Sequence, residues 1–148
     1  MKVLIACEES QRVCTAFRNK GHEAYSCDLI ECSGNHPEWH IQQNVLPLLN
    51  GHCEFKTSNG VIHHIDGKWD LIIAHPPCTY LSNAGAARLF KRIDGKQYIN
   101  ADRYKKGLDA KKFFMTFYMA DCEKNVYRKP YTYADMGITE IYTNNTAV

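Results

Sequence analysis

The sequence predicts an α/β fold with a doubly wound, mainly parallel sheet, and a small number of segments carry this prediction. Residues 2–6 and 23–27 are short β-rich runs, and residues 10–20 between them have apolar residues at helical spacing. Further along, the apolar run 69–74 predicts a buried strand, and residues 101–124 predict a long helix. Because parallel strands need crossover connections, strands that alternate with helices favour a parallel sheet with helices on its faces.

Each element has its own sequence signal. The first helix presents Val13, Ala16 and Phe17 on one side and ends before Gly21, a residue type that favours helix ends. Residues 53–66 predict a hairpin turned at 58–60, since Asn-Gly favours type I′ turns. Residues 44–49 predict a short third element after an irregular loop. The helix over 101–124 carries a stripe typical of core packing. Its members are Tyr104, Leu108, Phe113, Phe114, Phe117 and Tyr118.

Length and charge limit the classes of function. The 148 residues predict one domain, and 18 basic against 16 acidic side chains leave a net charge of +2. A uniformly basic nucleic-acid-binding surface is therefore excluded, and any DNA contact needs a local patch. The alternative meaning of such a patch is an ordinary solvated surface. The candidate residues are Arg88, Lys91, Arg92, Lys96, Arg103, Lys105, Lys106, Lys111 and Lys112.

The expected compartment is the reducing cytoplasm. Residues 2–7 are too short for the core of a signal peptide, and Glu8 and Glu9 follow at once. Seven cysteines without a secretory signal predict free thiols. No apolar stretch approaches the roughly 20 residues that a membrane span requires, so no membrane partner is expected.

One group of cysteines and histidines has a spacing that loosely matches a zinc site. Cys27, Cys32, His36 and His40 follow the pattern C-x4-C-x3-H-x3-H, which Pro37 interrupts. Because the spacing is not a common one, ordinary loop and core roles are favoured and no metal is predicted.

The segment 69–82 carries the strongest indication of chemistry. Its apolar run ends in Pro76-Pro77-Cys78, and prolines cannot donate the hydrogen bonds that continue a strand. Ligands of open α/β sheets bind beyond the carboxyl ends of strands, which is where this turn holds Cys78. The segment therefore predicts a nucleophilic thiol; the alternative is an ordinary buried cysteine at a strand end.

The turn between the first strand and the first helix is the expected cofactor site of such a fold. Residues 6–10 contain Cys7, Glu8 and Ser10, and Asp28 lies about 20 residues further on, where an acidic residue binds a ribose hydroxyl. The turn has no glycine, and a diphosphate requires close approach to glycine backbone. S-adenosylmethionine has no phosphate, and its carboxylate can sit at the helix N-terminus. The turn therefore favours that cofactor over NAD.

The segment 69–82 resembles the catalytic motif of DNA cytosine-5 methyltransferases, a strand followed by Pro-Pro-Cys-Gln and later by serine. The matching residues are Asp70, Leu71, Pro76, Pro77, Cys78 and Ser82, with Thr79 in place of glutamine. A weaker resemblance links it to the Asp/Asn-Pro-Pro-aromatic motif of amino-methylating DNA enzymes. The stretch 1–124 is also similar to short phage and prophage proteins of DNA methyltransferase type. That similarity rests on segments 6–10, 21–24, 27–29 and 34–40 and on the Pro-Pro-Cys segment.

The resemblance implies a Rossmann-like methyltransferase sheet, S-adenosyl-L-methionine as cofactor and DNA as partner in a bacterial host cell. It implies that Cys78 is the catalytic nucleophile, whose thiolate adds to C6 of a flipped base. It implies that Asp28 contacts the ribose of the cofactor and that Asn44 lies against its adenine amine. The other cofactor residues that it implies are Cys7, Glu8, Ser10 and Pro76.

The resemblance also divides the chain into a methyltransferase-like domain, 1–124, and an aberrant tail, 125–148. Related proteins continue with an apolar strand and Glu-Asn-Pro, whereas this tail is polar and lacks a strand period. Codons that encode the tail, read one base later, permit M-Y-I-E-N-P-T-P-T-Q-I-W-G-L-P-R-Y-T-P-I-I-Q-P-Y. We therefore expect a reading-frame slip near residues 123–125, a sheet truncated on its C-terminal side and no catalytic activity. The alternatives are a genuine divergent tail and a non-catalytic interaction or decoy protein that keeps the fold.

Overall fold

The computed structural model describes residues 1–123, together with the backbone of 125–127, 142–143 and 146–147. The strands are β1 (Lys2–Ala6), β2 (Glu23–Asp28), β3 (His40–Gln42), β4 (Cys53–Lys56), β5 (Ile62–Ile65), β6 (Leu71–Ala74), β7 (Phe90–Ile93), β8 (Lys96–Ile99), β9 (Asn125–Tyr127), β10 (Tyr142–Thr143) and β11 (Thr146–Ala147). The α-helices are α1 (Arg12–Asn19), α2 (Asn83–Ala86) and α3 (Ala101–Tyr118), and 3₁₀ turns span Pro37–Trp39 and Leu46–Leu48.

A parallel sheet organises the domain. Its strand order is β3-β2-β1-β6-β9, and each neighbouring pair is parallel. The predicted α/β class with a parallel sheet is therefore confirmed. The order along the sheet reverses between β1 and β6, because the chain moves outward from β1 to β3 and then returns to the other side of β1. In open α/β sheets, ligands bind at the carboxyl ends of strands beside such a reversal.

Both faces of the sheet are covered. On one face, Val3 and Ile5 of β1 pack with Cys14 of α1 and with Ala24 of β2. On the opposite face, the main core includes alternate residues of β1 and two aromatic residues of α3. Further members of that core are Tyr25, Cys27, Ile41, Phe55, Ile65, Trp69 and Ile72. Because β1 is buried on both faces, its sequence is a continuous apolar run, as expected of a central parallel strand.

Three antiparallel strand pairs lie outside the central sheet among the described residues, and the third of them is β10–β11. The predicted hairpin over 53–66 is confirmed as β4–β5, in which Phe55 pairs with His63. A second hairpin, β7–β8, was not predicted, although its Asp94-Gly95 turn is a strong hairpin signal. Both turn residues have positive φ, 50° and 76°, as a type I′ turn requires. The short strand β3 was likewise not expected.

Two predicted boundaries differ from the structure. The long helix α3 ends at Tyr118 rather than at residue 124, and Glu123 donates its amide to the Trp69 carbonyl instead. Residues 125–127 form β9 beside β6, contrary to the expectation that the tail lacks strand character. The rest of the proposed aberrant tail, except 142–143 and 146–147, lies outside the described residues. Within the part that the structure describes, no helix is long and apolar enough to cross a membrane.

Candidate functional site

A cavity of about 350 Å³ opens at the carboxyl ends of the central strands. Its wall brings together residues from the turns after β1, β2, β3 and β6, with one aromatic side chain from α3. The lining residues are Cys7, Cys27, Asp28, Leu29, Gln43, Asn44, Val45, Leu46, Pro77 and Phe113. Three of the predicted cofactor residues, Cys7, Asp28 and Asn44, therefore share one cavity. Glu8, Ser10 and Pro76 are not among the residues of its wall, and Pro77 lines it in place of Pro76.

Asp28 supplies the negative charge of this cavity. The Oδ1 atom accepts hydrogen bonds from the amides of Leu29 at 2.7 Å and Ile30 at 3.3 Å, which fixes the carboxylate at the end of β2. The second oxygen, Oδ2, has no protein hydrogen-bond partner among residues 1–123. One carboxylate oxygen is thus held by the backbone, and the other is available to a ligand hydroxyl.

Asn44 lines the same cavity and lies two residues after β3. Its Oδ1 accepts a hydrogen bond from the Leu46 amide at 3.0 Å, which leaves the amide nitrogen Nδ2 free to donate. Apolar atoms of Leu29, Val45 and Phe113 line the space between the polar groups. The cavity therefore combines apolar walls with a few convergent polar groups, as expected of a small-molecule site.

The turn after β1 differs from what the sequence predicts. Glu8 is buried, and its carboxylate accepts hydrogen bonds from the amides of Val13 at 2.7 Å and Cys14 at 3.2 Å. It therefore occupies the positive end of α1. The expectation that a ligand carboxylate sits at this helix N-terminus is wrong, because the protein fills that position with its own acid. The turn achieves its shape without glycine by holding Cys7 and Gln11 at φ 58° and 56°.

A buried polar network supports the loop beside the cavity. Gln11 donates from Nε2 to the His36 carbonyl at 2.8 Å and accepts from the His36 amide at 3.0 Å. His40 donates from Nε2 to the Ile30 carbonyl at 2.9 Å, and its Nδ1 lies 2.9 Å from the Ser26 hydroxyl. Sequence reasoning missed Gln11, because nothing marks a polar helix-start residue as buried.

Three of the four candidate zinc ligands are engaged elsewhere. His40 belongs to the network around Ser26, Cys27 donates from Sγ to the Gln43 carbonyl at 3.4 Å, and His36 contacts Glu38 at 2.9 Å. Within the described residues, no group of three or more potential ligands is placed to hold a metal ion.

Cys78 lies on the turn that follows β6. Its carbonyl accepts hydrogen bonds from the amides of Leu81 at 3.0 Å and Ser82 at 2.9 Å, so the backbone of this turn is well defined. All seven cysteines fall within residues 1–123, and Cys78 is the one that is exposed. The exposed strand-end thiol is thus distinct from the buried core cysteine that was the alternative interpretation.

Three of the other cysteines are largely buried, and burial raises the pKa of their thiols. Burial, followed by the negative charge of Asp28, raises the pKa of Cys7 to about 12. Burial also raises the pKa of Cys14 and of Cys27 to about 12. Since only the thiolate is nucleophilic, these three cysteines are held in the unreactive form at neutral pH.

The turn that carries Cys78 is clamped by α3. Arg103 donates from Nη2 to the Thr79 carbonyl at 3.1 Å and from Nε to the Gly85 carbonyl at 2.9 Å. Its guanidinium also lies 5.0 Å from the centre of the Tyr80 ring. At Gly85, a Cβ atom would lie 2.3 Å from the Thr79 oxygen, so only glycine permits this approach. We call residues 75–82 the Cys78 turn.

A second cavity of about 350 Å³ adjoins the Cys78 turn. Pro77 and Phe113 line both cavities, so these two side chains separate them. The remaining lining residues are Thr79, Tyr80, Lys106, Asp109 and Ala110. Pro77, one residue before the exposed thiol, thus lies at the boundary between the two cavities.

Comparison of the chain with protein-family models gives no match. Comparisons with curated proteins and with solved structures give no significant match either.

Proposed function

We propose that this chain is a DNA methyltransferase-like protein that binds S-adenosylmethionine in the cavity at the carboxyl ends of β1, β2 and β3. The observation that carries the proposal is that Asp28 and Asn44 line one cavity at the strand ends, beside the reversal in strand order. In dinucleotide-binding folds, this position of Asp28 belongs to the residue that hydrogen-bonds the ribose. The finer fold assignment, a Rossmann-like methyltransferase sheet, is part of the same proposal.

The charge of the cavity fits a nucleoside without phosphate. Among the described residues of its wall, Asp28 is the charged side chain, and no lysine, arginine or histidine accompanies it. A phosphate would face a carboxylate with no cation to balance it, and Glu8 already fills the positive end of α1. A ribose diol can instead donate to Asp28, and an adenine ring can lie between apolar walls. Asn44 can then accept from the adenine amine with the second lone pair of its Oδ1 and donate from Nδ2 to a ring nitrogen.

Cys78 is the proposed nucleophile toward a DNA base. Its thiolate forms a bond to C6 of a flipped cytosine, which makes C5 electron-rich. When bound, S-adenosylmethionine would supply an electrophilic methyl group for C5, and S-adenosylhomocysteine would leave with the electron pair of the broken sulfur–methyl bond. Loss of the C5 proton to water and cleavage of the S–C6 bond then regenerate the thiolate and the aromatic base.

We propose that the 148-residue chain itself lacks turnover. By the resemblance, a Glu-Asn-Pro segment should follow the next strand and contact the base, and this sequence has no such segment. The coding DNA tests this point: a single-base change near codons 123–125 should open a frame through Glu-Asn-Pro. If no such frame exists, or if the 148-residue chain transfers methyl groups to DNA at enzymatic rates, this part of the proposal is wrong. The decoy or interaction protein remains the alternative function.

Isothermal titration calorimetry tests the cofactor proposal. The wild-type chain should bind S-adenosylmethionine, and Asp28→Ala should weaken binding about tenfold or more, because a hydrogen bond to a charged group contributes roughly 1.5–3 kcal/mol. Asp94→Ala, which removes an equal charge at the exposed tip of the β7–β8 hairpin, is the matched control and should bind like the wild type. Unchanged affinity in Asp28→Ala, or tighter binding of ATP or NAD than of S-adenosylmethionine, would refute the assignment.

A further inference from the structure

The β7–β8 hairpin projects from the domain as an exposed two-stranded ribbon. All eight of its strand residues are exposed, and large apolar side chains are among them, including Phe90 at 47%, Tyr98 at 49% and Ile99 at 61% exposure. Since a free hairpin of this length is marginal in water, such a ribbon is typical of a segment that meets a partner.

Charge is concentrated on and beside this ribbon. Residues 88–106 contain seven arginine and lysine residues against Asp94 and Asp102, a net charge of +5. Because the whole chain carries +2, the remaining residues together carry −3. A chain with almost no net charge therefore has one strongly basic segment. This contrast argues for an anionic partner more strongly than scattered surface lysines do.

Most of these cations are not neutralised within the protein. Lys106 pairs with Asp102 at 2.9 Å, and Arg103 is engaged by the Cys78 turn. The five others are exposed and form no ion pair with a described residue. They are Arg88, Lys91, Arg92, Lys96 and Lys105.

The register of the ribbon separates its side chains onto two faces. Arg92 pairs with Gln97, so both lie on one face, and the alternation of strands puts Lys91 and Lys96 on the other. Arginine and glutamine are side chains that read guanine and adenine edges in the major groove, and lysines contact phosphates. A two-stranded ribbon also fits the roughly 12 Å width of that groove.

The base of the ribbon is fixed to the Cys78 turn. The Asn100 amide donates to the Leu89 carbonyl at 2.7 Å, which closes the ribbon where α3 begins. One turn later, Arg103 holds both Thr79 and Gly85. The ribbon is therefore connected, through the start of α3, to the turn that carries the proposed nucleophile.

We propose that the β7–β8 hairpin is a duplex-DNA-binding arm that enters the major groove and holds the substrate next to Cys78. The proposal rests on DNA as the substrate of the proposed function. The arm binds DNA without the cofactor, so its test is independent of the S-adenosylmethionine cavity.

Fluorescence anisotropy with a labelled duplex of mixed sequence tests the arm. The full 148-residue chain should bind, and the Lys91→Ala/Lys96→Ala variant should bind at least tenfold more weakly, since each phosphate contact contributes roughly eightfold at about 0.1 M salt. The slope of log K against log salt should also become shallower by about 1.8. Lys20→Ala/Lys56→Ala removes the same charge from exposed positions outside the basic segment and should leave the affinity unchanged. Both double variants alter exposed side chains, and their circular dichroism spectra establish that they are folded.

Several results would contradict the proposal that the β7–β8 hairpin binds duplex DNA. These are no binding of the duplex by the wild-type chain, equal losses in both double variants, or equal affinity for a single strand of the same sequence. Dimerisation that the hairpin variant abolishes, without DNA binding, would instead identify a protein interface. If the duplex binds through the hairpin but calorimetry detects no binding of S-adenosylmethionine, the DNA-binding proposal is supported and the cofactor proposal is wrong.

Discussion

Glu8 and Val13 are joined by a 2.7 Å hydrogen bond in which the Val13 amide donates to the Glu8 carboxylate. The same carboxylate accepts from the Cys14 amide, so an acid that follows β1 closes the start of α1. The positive end of this helix is therefore neutralised by the protein itself. A ligand in the neighbouring cavity must be recognised by the strand-end residues Asp28 and Asn44 instead.

The first prediction concerns this internal cap. Glu8→Ala leaves two backbone amides without an acceptor at a buried position and should lower the free energy of unfolding by roughly 1–3 kcal/mol. Urea denaturation followed by circular dichroism measures the change. Glu31→Ala removes an exposed acid and should alter stability by less than about 0.5 kcal/mol. Equal stability of the two variants would show that Glu8 is not a structural cap.

The second prediction concerns the close contact at Gly85. Gly85→Ala brings a Cβ atom to 2.3 Å from the Thr79 oxygen and should destabilise the protein by roughly 1–3 kcal/mol while displacing the Cys78 turn. Gly107→Ala is the matched control, because the nearest atom to its added Cβ is the Tyr80 oxygen at 4.0 Å. That helical substitution should be neutral or stabilise by up to about 1 kcal/mol. Thermal unfolding of both variants measures the change in stability. A Gly85→Ala protein as stable as the wild type would contradict the close contact between Gly85 and Thr79.

The third prediction ranks the thiols by reactivity. Brief treatment of the folded protein with iodoacetamide near neutral pH should modify Cys78 first, because it is exposed. Cys7, Cys14 and Cys27 have pKa values of about 12, so only about one molecule in ten thousand carries each thiolate at a pH of about 8. Mass spectrometry of the peptides gives the order. Modification of Cys14 or Cys27 before Cys78 in the native protein would reverse it.

The fourth prediction follows from the same buried thiols. Folding raises their pKa from 9.0 to about 12, so the folded protein holds these protons more tightly than the unfolded chain. The stability contributed by the neutral thiols is complete below about pH 9 and is lost as the pH rises toward about 12. Ionisation of each thiol should lower the free energy of unfolding by about 1 kcal/mol per pH unit in this window. Urea denaturation at several alkaline pH values measures the slope, and Cys14→Ala should make it shallower; an unchanged slope would contradict the burial.

Much of the fold follows from local signals in the sequence. The strands β1 and β6 are mainly apolar runs, β2 is a short β-rich run that ends in Asp28, and the β4–β5 hairpin has an Asn-Gly turn, so each is predictable. The strand β3 has three residues, and its His40 is buried through hydrogen bonds that a sequence does not reveal. The β7–β8 hairpin is exposed on both faces, so it lacks the alternation of polar and apolar residues that marks a half-buried strand.

The candidate site was predictable where topology determines it. Cys7 follows β1 and Asp28 ends β2, and the carboxyl ends of these neighbouring parallel strands meet at one edge of the sheet. Asn44 follows β3, a strand that the sequence does not reveal, and only the resemblance assigned it to the site. The position of the Glu8 side chain was not predictable, because an acidic residue in a turn can face either a ligand or the N-terminus of the following helix. Only the packing of α1 against β1 determines which of these two orientations Glu8 adopts.

A crystal structure of the chain with S-adenosylhomocysteine, the demethylated form of the cofactor, tests the central claim most directly. We predict that the ligand lies in the cavity after β1, β2 and β3, with its ribose hydroxyls within hydrogen-bond distance of the Asp28 carboxylate and its adenine beside Asn44. Density for the ligand at another position, or a cavity that stays empty at saturating ligand, would contradict the account.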